Sequence, residues 1–306
     1  MTKQEQSLNK LEAFDRDFSA LLKKYESENP FQRPPAITEP EDLEQRLSEG
    51  RYLLRPCGVE FRSDMSGQYA LDLFELLLEY MPEEGAGLQA IQEKFISGEV
   101  DRFKLLEFIF SNQGPDIARI VRQHGLSFDL MSMFAVYYGR PYRAHAAKRL
   151  LKDVDLKLWT AGYCPVCGHW PSLSHLHDKE GNRHLWCLHC GTIWPFKRLT
   201  CPFCLNEDYQ KLDFVTPETN EPYRAQVCSK CKRYVKEIRT NLPLDDVPFD
   251  AVFLGTISLD AAVRQEGYIQ ESPLNVRYED PEGNELLLYR QQRGTCSGGS
   301  PEDEIE

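Results

Sequence analysis

The chain has 306 residues, of which 41% are hydrophobic and 11% aromatic, with 36 Lys and Arg against 48 Asp and Glu and a formal charge of −12. That is apolar material for two or three domains of ordinary size, and the negative balance excludes a general nucleic-acid-coating role. No run of about 18 apolar residues occurs, which excludes a transmembrane helix, and the polar start MTKQEQSLNKLEAF lacks the basic-then-apolar form of a secretory leader, so a cytoplasmic location is expected.

Residues 1–28 read as a polar amphipathic helix, ended by the four prolines of ENPFQRPPAITEP. A short helix is expected near 41–47. YALDLFELLLEYM is almost wholly apolar, with Asp72, Glu75 and Glu79 as one narrow polar stripe, the pattern of a mostly buried helix. DRFKLLEFIF and DIARIVRQH read as two more helices. Residues 127–153 read as a long helix interrupted at YGRPY, where Pro141 is expected to kink or split it. Tyr137, Tyr138 and Tyr142 beside it suit core packing. Residues 1–157 are therefore expected to form a mainly helical domain.

From Trp159 the composition changes. Residues 159–240 hold 11 Lys and Arg against 8 Asp and Glu, and five of the seven His. LSHLH-DKEGN-RHLWC and KLDFV-TPETNEP-YRAQVC each read strand, turn, strand. FDAVFLGTISLDAAVRQEGY reads as a helix over 249–268, VRYED-PEGNE-LLLYR as a small hairpin, and GTCSGGSPEDEIE as a disordered acidic tail.

The chemistry concentrates in four CxxC pairs: Cys164/Cys167, Cys187/Cys190, Cys201/Cys204 and Cys228/Cys231. They form an internal repeat in which each half is pair, hairpin, pair. Four thiolates around one ion need metal–sulfur distances of about 2.3 Å. Two residues between ligands let a tight turn aim both sulfurs at one point, with Pro165 fixing such a turn and Gly168 permitting close backbone approach. The hairpin then returns the second pair to the first. The spacing predicts two four-cysteine metal sites, Cys164, Cys167, Cys187 and Cys190 for one and Cys201, Cys204, Cys228 and Cys231 for the other. A crossed arrangement, first pair with third, uses the same residues; the hairpins favour the sequential one. A thioredoxin-type dithiol would want one CxxC opening a helix in a βαβ setting, which is absent, and a reducing compartment disfavours disulfides. Ligand type alone accepts zinc or iron.

The boundaries expected are 1–157 helical, 158–199 first four-cysteine ribbon, 200–243 second ribbon, 244–273 C-terminal helix, and 274–306 tail, an α+β chain. His175 and His177 share a strand face and, with no acidic partner, are expected to be an exposed pair. His184 and His189 lie beside and within the second pair, as candidates to touch the ligating sulfurs. Cys57 is expected as a buried free thiol and Cys296 as incidental. No P-loop, GxSxG, HExxH or dinucleotide fingerprint occurs, so no catalytic constellation and no cofactor-binding residue is assigned.

YCPVCGHWP, LWCLHC followed by KRLTCPFC, CSKCKRYVK and LDAAVRQEGYIQESPLN together resemble the formate dehydrogenase accessory proteins, the FdhE family. The resemblance covers about 159–275 and is architectural over the helical part; the tail 276–306 departs from it. It implies a non-enzymatic, cytoplasmic assembly factor with rubredoxin-like units holding iron, with zinc as the alternative, in the two ligand sets above. The implied partner is the immature catalytic subunit of respiratory formate dehydrogenase, bound before export by the twin-arginine route, with no membrane insertion and no nucleic acid; oligomeric state is not addressed by it. An iron–thiolate electron-transfer protein is the alternative, with Trp170, Trp186 and Trp194 around the sites. A zinc-ribbon nucleic-acid binder is the further alternative, against which the small positive excess of 159–240 is a faint footprint.

Overall fold

A computed structural model describes residues 3–35, 40–54, 59–110, 114–152, 154–177, 179–216 and 222–270. Cys57, Cys296, the expected hairpin and the acidic tail lie outside the described residues. The first half is helical: α1 (Lys3–Glu26), α2 (Pro40–Ser48), α3 (Ser63–Tyr80), α4 (Gly85–Ile96), α5 (Arg102–Phe110), α6 (Gly114–His124) and α7 (Phe128–Leu150). Two short strands, β1 (Phe31–Arg33) and β2 (Glu60–Phe61), pair antiparallel beside them. In α1, Phe14, Phe18, Leu22 and Tyr25 recur every three or four residues and form one buried stripe against α3 and α7. α4 is not foreseen from the sequence. It opens on Gly-Ala-Gly, whose two glycines are poor helix formers, and its inner face is only Leu88, Ile91 and Phe95.

α7 is the spine of this half, buried on nearly every side. Expected to be broken at Pro141, it runs without interruption. Proline has no N–H to donate to the carbonyl four residues earlier, and the Tyr69 hydroxyl donates to that Tyr137 carbonyl instead, at 2.8 Å. Tyr69→Phe is therefore expected to lower stability by about 1–3 kcal/mol, the cost of a buried acceptor left without its donor. Urea unfolding of the variant checks this; an unchanged midpoint would contradict it.

The second half is one six-stranded sheet made from two similar pieces. β3 (Leu173–His177), β4 (Arg183–Trp186) and β5 (Ile193–Pro195) form the first antiparallel piece; β6 (Leu212–Val215), β7 (Tyr223–Cys228) and β8 (Tyr234–Thr240) form the second. The order is β5-β4-β3-β8-β7-β6, and the join is the parallel pair β3–β8, with His175 beside Ile238. The segment expected as one helix over 249–268 is two, α8 (Phe249–Gly255) and α9 (Ile257–Gln265), which meet at Gly255 and Thr256. α8 packs on α1. α9 is tied to the sheet by Asp260, which accepts from the Tyr234 hydroxyl at 2.8 Å and from the buried Lys236 ammonium at 2.8 Å.

The two halves share a core. Cys164, Cys167, Cys187 and Cys190 belong to the same apolar cluster as the α3 and α7 side chains. The amides of Leu53 and Leu54 donate to the carbonyls of Pro165 and Val166, each at 2.8 Å. The second piece has a small core of its own, Cys201, Phe203, Cys228, Cys231 and Val235. Among the described residues no helix is long and apolar enough to cross a membrane.

Candidate metal centres

All four CxxC pairs fold the same way. The amide of the first Cys donates to a carbonyl five residues on, and the carbonyl of that Cys accepts from the amide four residues on. This closes a tight knuckle whose last residue has a positive φ: Gly168 (76°), Gly191 (73°), Leu205 (54°) and Lys232 (58°). The first piece uses glycine, which adopts this conformation freely; the second places Leu205 and Lys232 in it. At Gly168 a methyl group would also sit 2.7 Å from the Tyr52 ring. Gly168→Ala is accordingly expected to destabilise by at least about 1–2 kcal/mol, the left-handed backbone cost alone. Denaturant unfolding reads the effect, and wild-type stability would refute it.

The knuckles meet in sequential order. Cys164, Cys167, Cys187 and Cys190 form one cluster and Cys201, Cys204, Cys228 and Cys231 the other, the ligand atoms of each lying within 4.8 Å of one another. In the first, Sγ–Sγ distances are 3.5 Å (Cys164–Cys190), 3.5 Å (Cys167–Cys187) and 3.6 Å (Cys167–Cys190). In the second they are 3.7 Å (Cys201–Cys231) and 3.8 Å (Cys204–Cys228). A disulfide needs about 2.05 Å. A tetrahedral ion at about 2.3 Å from each sulfur gives edges of about 3.8 Å. The donor sets thus fit metal ions, and the two clusters could hold one each.

The thiols cannot all ionise without a cation. Burial first, then the neighbouring sulfurs, pushes Cys164 up. At Cys190 burial acts the same way, but hydrogen bonds from the other three sulfurs and from Thr192 outweigh it and hold that thiol well below its usual value. In the second cluster the neighbouring sulfurs raise Cys201 and Cys231 and lower Cys228, and they lower Cys204 to about 7. A bound cation would remove this conflict by favouring every thiolate at once.

The surroundings of the first cluster include two residues that sequence reasoning missed. Arg140 and Arg143, one turn apart in the buried middle of α7, point into the first four-cysteine piece. Arg140 donates to the Leu188 carbonyl at 2.6 Å and makes a two-pronged pair with Asp250 of α8, both contacts at 3.1 Å. It also lies over the Trp186 ring and against Gly191, next to Cys190. Arg143 contacts His189 Nδ1 at 2.9 Å and donates to the Ile109 carbonyl. His189 stacks on His169 with ring centroids 3.5 Å apart. Burial, then Arg143, holds His169 far below the usual imidazole range; burial, then His169 and Arg143, does the same for His189. Two guanidinium groups thus sit beside a cluster of four thiolates, whose negative charge a divalent ion does not fully cancel. The available signal was the pair of Arg in a run of Tyr, Ala and Gly.

Of the other candidates, His184 stands opposite His175 across β3 and β4, with ring centroids 6.4 Å apart. The expectation of an exposed His175/His177 pair is corrected: His175 is 1% exposed, covered by α8 through Phe249, and only His177 is half-buried. Trp170 packs between Tyr163 and Phe203, bridging the two pieces. Trp186 stacks on Phe249, and Trp194 is fully buried.

Residues 163–198 match the model of the FdhE central domain. A Protein FdhE homolog of Aquifex aeolicus is 27% identical over 237 residues, spanning 75% of this chain and 76% of that protein. The chain is similar to FdhE proteins in its central cysteine-rich part and over most of its length. The Protein FdhE of Escherichia coli is 33% identical over 115 residues, a match that spans 36% of each chain. The crystal structure of the FdhE protein from Pseudomonas aeruginosa has the same fold, with a TM-score of 0.53 at 19% identity, covering 89% of this chain and 93% of that one.

Proposed function

We propose that this protein is an accessory factor of formate dehydrogenase biogenesis, which binds the immature catalytic subunit in the cytoplasm and catalyses no reaction of its own. Similarity to FdhE proteins supports the link to formate dehydrogenase. The single structural observation that carries a scaffolding role is that each cluster presents four cysteine sulfurs to one point. Four thiolates fill the shell of a tetrahedral ion, and a closed site of this kind leaves no position for a substrate. Cys164, Cys167, Cys187 and Cys190 hold one metal in this reading, and Cys201, Cys204, Cys228 and Cys231 the other. Iron is favoured by the family resemblance and zinc is the alternative. The ions fix the knuckles, and the knuckles shape a surface for the partner.

The test is affinity purification of the tagged protein from cells that express respiratory formate dehydrogenase, together with enzyme activity after deletion of its gene. Recovery of the catalytic subunit and loss of formate oxidation are expected. No subunit recovered, with full enzyme activity in the deletion strain, would contradict the proposal.

A further inference from the structure

His175 and His177 are two apart on β3 and share a face of the sheet, and His184 on β4 stands directly opposite His175. The three imidazoles therefore project from one patch, with ring centroids 6.3 Å apart for His175–His177 and 6.4 Å for His175–His184. Neither ring nitrogen of the buried His175 has a hydrogen-bond partner, and neither has Nδ1 of His184. The Thr240 backbone lies near His175 and favours its protonated form. Buried imidazole nitrogens are normally satisfied, and an orphaned set calls for a ligand, an ion or a water. Burial holds His175 and His184 below the usual imidazole range, so at neutral pH both rings carry a free lone pair.

We propose that His175, His177 and His184 form a third metal site, separate from the two four-cysteine clusters, that takes a divalent first-row transition ion through three imidazole nitrogens. The donor set selects the ion. Three neutral nitrogens with no carboxylate suit nickel, cobalt, copper or zinc and do not suit calcium or magnesium. Two imidazoles bound to one tetrahedral ion sit about 5 Å apart by centroid, about 1 Å closer than the His175–His177 and His175–His184 pairs stand here, and the three rings are not yet gathered within ligand distance of one another, so binding requires them to move inward. His177 and His184, both only half-buried, supply that movement. Binding gives up one contact, the 3.3 Å hydrogen bond from the Glu180 amide to His177 Nδ1. Phe249 closes the site at its His175 end. The His177 end is open, so the ion keeps a position for water and exchanges with solution, unlike an ion caged by four thiolates.

The experiment is equilibrium dialysis of the full chain, purified through EDTA with its cluster metals retained, against Ni²⁺. One additional equivalent per chain is expected, with the cluster metals undisturbed. His177→Ala and His184→Ala should each weaken that uptake at least tenfold while keeping the cluster metals, which also shows that both variants fold. His177→Gln serves as a second variant should the alanine version lose cluster metal. No added nickel in the wild type, equal uptake in the variants, or nickel that only displaces cluster metal would each overturn the site.

Discussion

Cys187→Ser is expected to reduce the metal content by one ion per chain and to unfold much of the molecule, because the first cluster lies inside the main core. Its four cysteines are 0–3% exposed and pack with side chains of α3 and α7. Ion binding to a structural site of this kind is worth about 10–16 kcal/mol, comparable with the whole stability of an ordinary domain at about 5–15 kcal/mol. Cys204→Ser is the contrast. Cys204 is the one ligand sulfur that is only half-buried, and its cluster has a small core of its own. Its loss should release one ion while the helical half keeps its melting transition. Elemental analysis and thermal unfolding followed by circular dichroism read both variants. Equal effects of the two substitutions, or a Cys187→Ser protein with full metal and unchanged melting, would contradict this division of the core.

The second large effect belongs to Arg140. Arg140→Ala removes the guanidinium that joins α7 to α8 and to the knuckle of the second CxxC pair, leaving the Asp250 carboxylate and the Leu188 carbonyl buried without it. Burial raises the Asp250 carboxyl, and the facing guanidinium is what pulls it back. Breaking a buried pair from one side costs about 3–5 kcal/mol. Adding Asp250→Ala should recover part of that loss, since the unpaired charge is then gone; this non-additivity is the signature of direct coupling. Chemical denaturation of the two single variants and the double variant measures it. Fully additive losses would place the importance of Arg140 elsewhere.

The four CxxC pairs were legible because the requirement is local. Two residues between cysteines fix a knuckle, and a strand-turn-strand between pairs returns the chain, so sequence spacing carries most of the geometry. The parallel pairing of β3 with β8 was not legible, since it depends on which edges of two similar hairpins meet, and neither edge differs in pattern from an ordinary strand. Pro141 misled for a related reason. Its helix-breaking tendency is intrinsic, while the hydroxyl that offsets it comes from Tyr69, far away in sequence. The burial of His175 was hidden by α8, which covers that face of the sheet from a segment whose break at Gly255 and Thr256 the composition did not mark. Arg140 and Arg143 read as ordinary helix cations until the cluster beside them is seen.

The most direct measurement is native mass spectrometry of the protein purified without air and in the presence of EDTA, combined with alkylation of accessible thiols. Two retained metal ions per chain are predicted, with Cys164, Cys167, Cys187, Cys190, Cys201, Cys204, Cys228 and Cys231 all protected until the ions are stripped under denaturing conditions. A metal-free chain whose eight CxxC thiols react at once, or one whose pairs are closed as disulfides, would contradict the two four-cysteine sites on which the proposed function rests.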